Sequence, residues 1–272
     1  MRETLLQQLK WLRQPICQVN MKITIVTASY NAAKTIACTI NSIANQKNVD
    51  VEHLVIDGDS TDNTLSVVRE CNQPLSLVSE PDKGIYDAMN KGISLATGDI
   101  IGTLNADDFY SNDFVLQDVL ALFEDPNVEA CYGDLVYVKQ DNTNKIVRYW
   151  KSKNYQQGLF KAGWMPPHPT FFVRKSVYDR LGRFSLDYKI AADFELLFRF
   201  IEQNKIQVKY LPKVLVKMRL GGTTNKSVSN IFKQNREILV IISQYYPDFS
   251  VLKFVLYKIY NRYFQFTSKP EV

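Results

Sequence analysis

Residues 100–108 read Ile-Ile-Gly-Thr-Leu-Asn-Ala-Asp-Asp, an apolar run that ends in two adjacent carboxylates. The pattern predicts a buried strand from Asp99 to Leu104. Adjacent carboxylates at a strand end are unfavourable unless a cation neutralises them, and oxygen ligands of this kind suit Mg2+ or Mn2+. A turn before a helix that begins near Ser111 explains the same residues without a metal. The stretch therefore indicates either a divalent-cation site or a helix cap or turn.

Strands and helices alternate before this stretch. The hydrophobic pattern predicts strands at Ile23 to Ala28, Glu52 to Ile56 and Leu75 to Ser79, with helices near residues 33–46, 62–71 and 85–97. Such alternation is typical of an α/β fold with a mostly parallel, Rossmann-like sheet flanked by helices. Ligands of these sheets bind beyond the carboxyl ends of the strands. We therefore expect four polar loops to meet in one crevice, at residues 29–31, 57–64, 80–84 and 105–108.

The second half of the chain has a different pattern. It predicts strands at Glu129 to Val138, Lys145 to Trp150 and Ile206 to Lys217, and a helix from Ala191 to Gln203. A helical section begins near Lys226. We divide the chain into an amphipathic N-terminal helix (1–20), a catalytic domain (21–222) and a helical C-terminal region (223–272).

Composition excludes several classes of protein. With 272 residues and 46% apolar content the chain can bury a substantial core. The net charge of +5 comes without any nucleic-acid-binding signature, so we expect no nucleic acid partner. The four irregularly spaced cysteines fit neither a zinc site nor a disulfide scaffold, and no apolar run is long enough to span a bilayer or to form a signal peptide. These features predict a cytoplasmic protein.

Both ends of the chain carry apolar residues beside basic ones. Leu5, Leu6, Leu9 and Leu12 recur at helical spacing near the N-terminus, and the segment Tyr257 to Phe264 combines aromatic side chains with Lys258 and Arg262. Each segment suits either peripheral contact with a membrane surface or contact with a second copy in a homo-oligomer.

Several motifs occur in a fixed order across residues 22–222. They are Thr27-Ala28-Ser29-Tyr30-Asn31, the Asp57 to Thr64 loop, Glu80 to Gly92, Ala96 to Asp99 and Asn105 to Asp108. Together they resemble the signatures of family 2 glycosyltransferases with the GT-A fold, and the Glu80 to Gly92 segment is similar to that of bacterial exopolysaccharide and O-antigen enzymes. The resemblance implies a nucleoside diphosphate sugar donor, Mn2+ or Mg2+ as cofactor, and a saccharide or lipid-linked saccharide acceptor.

The resemblance also implies roles for individual residues. Those expected to bind the donor are Thr27, Ser29, Asn31, Asp57, Lys91, Asn105 and Ala106. Asp107 is the expected principal metal ligand and Asp108 its helper, while Asn105 stands where the family more often has aspartate. Asp57 is expected to read the base. Lys91, taken alone, is equally well explained as a solvated surface lysine.

The acceptor side needs a base that takes a proton from the attacking hydroxyl. The resemblance places Asp193 in that role, with Glu195 in reserve. An acidic residue that stabilises the start of a helix explains Asp193 equally well. His168, held between prolines, is either an acceptor or phosphate contact or a structural residue. The glycine-containing segment Arg219 to Asn225 either closes over the donor or simply connects two elements.

The sequence thus predicts an inverting enzyme that adds a single sugar in bacterial surface polysaccharide synthesis. Inversion follows from the resemblance, and single addition from the missing Gln-x-x-Arg-Trp signature of processive enzymes. Two other functions stay open. A sugar nucleotidyltransferase should have a glycine-rich loop where this chain has Ser29 to Ala32, and a non-catalytic carbohydrate-binding protein would need neither the carboxylate pair nor Asp193.

Overall fold

A nine-stranded mixed sheet forms the centre of the computed structural model, which describes residues 21–221, 228–267 and 270. The strands are β1 Lys22–Ser29, β2 Asp50–Asp57, β3 Ser76–Ser79, β4 Ile100–Thr103, β5 Phe109–Tyr110, β6 Ala130–Val138, β7 Ile146–Trp150, β8 Phe172–Arg174 and β9 Val208–Arg219. They lie in the order β3-β2-β1-β4-β8-β6-β9-β5, and β7 pairs with β6. The expected α/β fold is confirmed.

Helices pack on the sheet, and two more follow its last strand at the C-terminal end of the chain. They are α1 Ile36–Ala44, α2 Thr64–Glu70, α3 Ile85–Leu95, α4 Val115–Phe123, α5 Lys175–Leu181, α6 Ala192–Leu197, α7 Val228–Tyr245 and α8 Val251–Thr267. α6 continues as a π-helical segment, Phe198–Gln203. Short 3-10 turns occur at Phe160–Ala162 and His168–Thr170. Within the described parts of the chain, no helix is both long enough and apolar enough to cross a membrane.

The strands β1 to β4 form a parallel half-sheet, in which β1 and β4 are buried on both faces. Val26 of β1 packs in the same core as Met89 of α3, whereas Ile25 packs on the opposite face with Ile43 of α1. Strands covered on both sides are mostly apolar, and the polar Thr24 and Thr27 of β1 are buried with hydrogen-bond partners, Glu52 and His53. Gly92 lets α3 approach closely, because a Cβ atom there would lie 2.2 Å from Val26 Cγ1.

The register of this half-sheet brings the predicted loops together. Ser29 pairs with Asp57, and Asp57 pairs with Ser79, so β1, β2 and β3 end side by side. β4 lies on the other side of β1, also parallel. Its following segment, which contains Asn105, therefore leaves the sheet at the same edge.

The second half of the sheet is mixed. β8 pairs antiparallel with β4 and β6, β7 pairs antiparallel with β6, and β9 runs parallel to β6. The predicted strands at 129–138, 145–150 and 206–217 and the helix at 191–203 are confirmed, the last strand being shifted by two residues. β5, β8 and α5 are too short to give a clear periodic signal and were not predicted.

The two C-terminal helices, α7 and α8, pack onto the core beside α6. Ile238 and Ile242 of α7 and Phe254 of α8 belong to the same core as Phe194 of α6. The buried carboxylate of Glu202 reinforces this contact, because it accepts hydrogen bonds from three groups of different segments: Tyr155 OH, Gly158 N and Tyr246 OH. The predicted N-terminal helix 1–20 and residues 222–225 of the predicted glycine-containing segment lie outside the described residues.

Candidate active site

A cleft of about 2030 Å³ lies beyond the carboxyl ends of β1, β2 and β4, and α7 and α8 form its far wall. We call it the central cleft. Seven of the twelve predicted site residues line it: Ser29, Asn31, Asn105, Ala106, Asp107, His168 and Asp193. The fold therefore brings the predicted donor and acceptor residues to one cavity.

Asn31 connects the loop after β1 to the loop after β2 by hydrogen bonds. Its backbone has φ 49°, in the left-handed region that asparagine tolerates better than most residues. Its N–H donates to Ser60 Oγ (2.8 Å), and its Oδ1 accepts from Thr61 N (2.9 Å). Ser29, two residues earlier, has a buried hydroxyl without a hydrogen-bond partner in the described chain. This wall is rigid and offers a polar group to a ligand.

The Asn105 to Asp108 segment sits at the centre of the same edge. Asn105 Nδ2 donates to Asp108 Oδ2 (3.2 Å), and Arg219 Nη1 donates to the backbone oxygen of Asp107 (2.5 Å). Burial, together with the neighbouring Asp107, raises the pKa of Asp108 well above its usual range. Neither aspartate caps the next helix, since α4 begins only at Val115. The helix-cap interpretation is therefore wrong, whereas the turn is present, since Asp108 N donates to the backbone oxygen of Asn105 (3.0 Å).

The residues of this segment fit a divalent cation. Asn105 Oδ1 is buried and, among the described residues, has no hydrogen-bond partner. Asp107 adds a carboxylate that lines the cleft. Oxygen donors of these two types are the ligands that Mg2+ and Mn2+ prefer. Among the described residues there is no cluster of three or more histidine, cysteine or acidic side chains suited to a metal.

Asp193 faces the cleft from the first turn of α6. Phe194 N donates to its Oδ1 (2.8 Å), and Tyr86 OH lies 3.4 Å from the same atom. Burial raises the pKa of Asp193 to about 6. A carboxylate with that pKa is ionised at neutral pH yet basic enough to accept a proton, which suits a general base.

Two residues that the sequence analysis missed fix the position of Asp193. Tyr86 OH donates to Ile190 O (2.9 Å). The carboxylate of Glu237, from α7, accepts hydrogen bonds from three consecutive backbone N–H groups at distances of 3.2, 3.0 and 2.8 Å: Lys189, Ile190 and Ala191. Glu237 is the one acidic residue in α7. A single carboxylate in a helix that otherwise has no acidic residue is the sequence signal that could have identified it. The C-terminal region thus holds the segment that carries the predicted base.

His168 lies in the cleft as expected, in a largely apolar setting. Its ring packs edge-on against Phe184 with 5.4 Å between ring centroids. Burial lowers the pKa of His168 to about 4, so the side chain is neutral at pH 7. It can contact a sugar or phosphate by hydrogen bonding but brings no positive charge.

Three predicted donor residues lie behind the cleft wall. Thr27 Oγ1 is 3.0 Å from His53 Nε2, and burial lowers the pKa of that histidine to about 4. Asp57 is buried and accepts hydrogen bonds from Ser60 N, Ser60 Oγ and Ser79 Oγ, which ties the ends of β2 and β3 together. Lys91 bonds to Glu80 Oε1 (2.9 Å) and Pro81 O (2.8 Å). Their direct contact with a donor stays a prediction.

Asp108 and Glu195 also do not line the cleft. Asp108 is fully buried behind Asn105. Glu195 forms a two-pronged ion pair with Arg199, at 2.8 and 3.1 Å. Side chains two residues apart on a helix point in different directions, so Glu195 points away from the cleft while Asp193 faces it. The roles given to these two residues stay predictions as well.

Known proteins are similar to this chain in both sequence and fold. A family model described as Glycosyl transferase family 2 matches residues 24–182. A PGL/p-HBAD biosynthesis glycosyltransferase of Mycobacterium bovis (strain BCG / Pasteur 1173P2) is 28% identical over 215 residues, which cover 77% of this chain and 81% of that protein.

Two solved structures share the fold. The mannosyltransferase PcManGT from Pyrobaculum calidifontis, in complex with GDP-Man and Mn2+, has a TM-score of 0.63 and 20% identity, over 95% of this chain and 76% of that one. TarS of S. aureus has a TM-score of 0.61 and 20% identity over 90% of this chain. This chain spans 44% of that longer protein.

Proposed function

The chain belongs to glycosyl transferase family 2, and from that premise we propose that it moves one sugar from a nucleoside diphosphate sugar to an acceptor hydroxyl, with inversion. Support comes from the central cleft. One side of it is lined by the polar residues Ser29, Asn31, Asn105 and Asp107, which we call the donor edge. Asp193, whose pKa suits a general base, faces the same cavity. The likeness to a mannosyltransferase bound to GDP-Man and Mn2+ agrees with this assignment.

The donor edge holds the diphosphate. Asn105 Oδ1 and the Asp107 carboxylate would hold a divalent cation together with the donor phosphates. Bound there, the ion would neutralise the charge that develops on the leaving diphosphate. Ser29 and Asn31 line the adjoining part of the cleft, where the nucleoside lies. Arg219 steadies the edge by its hydrogen bond to the backbone of Asp107.

The acceptor side supplies the base. The acceptor oxygen attacks the anomeric carbon while Asp193 takes the hydroxyl proton, and the bond between that carbon and the diphosphate oxygen breaks. The nucleoside diphosphate leaves with the bonding electrons. A single displacement inverts the configuration of the anomeric carbon, and a single base suffices for it.

The acceptor is a saccharide carried on a lipid, in the synthesis of a surface polysaccharide at the cytoplasmic face of the membrane. The name of the mycobacterial relative places that protein in a biosynthetic pathway. The Glu80 to Gly92 motif resembles that of exopolysaccharide and O-antigen enzymes, which supports a role in surface polysaccharide synthesis. Each cycle adds one sugar, because the chain lacks the processive signature.

The raised pKa of Asp193 at a cleft shared with Asn105 and Asp107 is the observation that carries this proposal. The test incubates the protein with Mn2+, an acceptor mixture and UDP-, GDP- or TDP-sugars in turn. We expect release of nucleoside diphosphate with one donor class. Formation of pyrophosphate from a nucleoside triphosphate and a sugar phosphate would identify a nucleotidyltransferase instead. Binding without any turnover would identify a non-catalytic carbohydrate-binding protein.

A further inference from the structure

Arg148 is a buried cation in the central cleft. It is 6% exposed and lies among aromatic rings, with its guanidinium carbon 4.5 Å from the Tyr137 centroid and 5.5 Å from that of Trp150. The Phe266 ring of α8 is 5.9 Å away, and Gln265 Oε1 accepts from Arg148 Nε (2.7 Å). The aromatic faces and the amide do not neutralise its charge.

Two further cations of α8 line the cleft beside it. Lys258 Nζ donates to Asn235 Oδ1 (2.7 Å), a neutral partner. Arg262 lies close enough to act electrostatically on both Arg148 and Lys258. Burial, with a smaller effect from Arg262, lowers the pKa of Lys258 to about 8 and that of Arg148 to about 10. We call Arg148, Lys258 and Arg262 the cation cluster.

No described carboxylate forms an ion pair with the cation cluster. Within residues 21–221 and 228–267, none of the ion pairs involves Arg148, Lys258 or Arg262. Asp193 acts on Lys258 through space but forms no ion pair with it. Partly buried cations without carboxylate partners are costly. Arg148 is buried and Lys258 is half-buried, and a site that gathers these two cations with the exposed Arg262 around a cavity is suited to an anionic ligand. Arginine suits phosphate in particular.

The outer face of α8 is apolar and leads into the same site. Leu252, Leu256, Ile259 and Tyr263 follow one another at helical spacing and are 67, 57, 62 and 65% exposed. Ile259 and Tyr263 also line the cleft. α8 contains three basic residues and no acidic one. An apolar stripe beside a cationic pocket fits a ligand that carries a phosphate next to a hydrocarbon chain.

We propose that the cation cluster and the apolar stripe of α8 form the binding site for an acceptor that carries a lipid phosphate. The phosphate is held by Arg148, Lys258 and Arg262, and the hydrocarbon chain lies along Leu256 and Ile259. This inference rests on the proposed function, since it assigns the acceptor to the side of Asp193. Lys258 interacts electrostatically with Asp193, whereas the donor edge has its own arginine, Arg219, at Asp107.

Direct binding of farnesyl phosphate, below its micellar concentration, tests the proposal. Trp150 lies beside Arg148, so its fluorescence and titration calorimetry both report binding. Farnesol supplies the chain without the charge, and inorganic phosphate supplies the charge without the chain. We expect farnesyl phosphate to bind about tenfold or more tightly than either. Equal affinity for farnesol and farnesyl phosphate would overturn the proposal.

Matched variants locate the site. Arg262 is exposed, so Arg262→Gln leaves the core intact, and we expect it to weaken farnesyl phosphate binding about tenfold. Lys253→Gln removes the same charge from the same helix outside the cleft and should leave binding unchanged. Ile259→Ser should weaken farnesyl phosphate while sparing inorganic phosphate. Equal effects of Arg262→Gln and Lys253→Gln would contradict the proposal.

Binding of UDP and GDP to the Arg262→Gln variant separates this inference from the proposed function. If Arg262→Gln weakens binding of UDP or GDP and leaves farnesyl phosphate unaffected, the cation cluster serves the donor and the inference is wrong. If no donor yields nucleoside diphosphate while farnesyl phosphate binding still depends on Arg262, the proposed function fails and the lipid phosphate site stands.

Discussion

The two walls of the central cleft are built in different ways. The donor edge is made of strand ends that lie side by side in the sheet, and its loops are held by local hydrogen bonds such as those of Asn31 to residues 60 and 61. The opposite wall, around Asp193, is assembled from α6, α7 and α8, with Glu237 reaching across from a separate helix. The first wall is therefore set by the sheet and the second by tertiary packing. Substitutions can show whether each wall has the separate task assigned to it.

Asp193→Asn should have the largest effect. The amide keeps the size of the side chain but cannot take a proton, so we expect the turnover number to fall about a thousandfold while nucleotide affinity is retained. Release of nucleoside diphosphate and nucleotide binding, measured on the same preparation, check this. Full transfer activity in the variant would remove the base assignment.

Asp107→Ala should affect the other wall. Loss of the carboxylate at the donor edge should lower kcat/KM about a hundredfold and abolish the response of the rate to Mn2+. Titration of the rate with Mn2+ in variant and parent gives the answer. A variant that responds to Mn2+ like the parent would show that the ion is held elsewhere.

Glu237→Ala should reduce turnover about tenfold by disturbing the position of Asp193, because the three backbone N–H groups before Asp193 lose their acceptor. We expect kcat to fall with little change in the donor KM, and Glu237→Gln, which keeps an acceptor oxygen, to restore part of the rate. Arg236→Gln, at the exposed neighbouring position, is the matched control. Equal losses in Glu237→Gln and Glu237→Ala would argue against the hydrogen-bonding role.

Lys91→Met should have the smallest effect. The ammonium holds Glu80 and Pro81 in the loop before α3, and the hydrogen bond to Glu80 raises the pKa of Lys91. Removing this exposed pair should weaken nucleotide binding less than about fivefold. A much larger loss would show that Lys91 contacts the donor phosphates directly.

The sequence predicted the donor edge better than the acceptor wall, for a physical reason. Apolar runs and polar strand ends are local signals, so β1 to β4 and the position of Asn105 to Asp107 followed from pattern alone. Side-chain direction is not a local signal, and Asp57 and Lys91 proved to be engaged behind the cleft wall.

The acceptor wall depends on contacts between distant residues. Asp193 was found through a resemblance, but Glu237, 44 positions later along the printed sequence, shows its role only when α7 packs against the loop before α6. Arg148 and Arg262 likewise meet only because β7 and α8 lie together. Periodicity predicts the helices that carry such residues and does not predict their partners.

The pH dependence of kcat/KM for transfer is the sharpest test of Asp193 as the base, because this ratio reports the ionisation of the free enzyme. Burial raises the pKa of Asp193 to about 6, so its basic form dominates above that pH and is lost as the pH falls. We expect the rate to be half-maximal near pH 6 and to fall about tenfold per pH unit below it, while nucleotide binding stays constant across the same range. An acid limb centred near pH 4, where an ordinary aspartate titrates, or a rate independent of pH, would contradict the account.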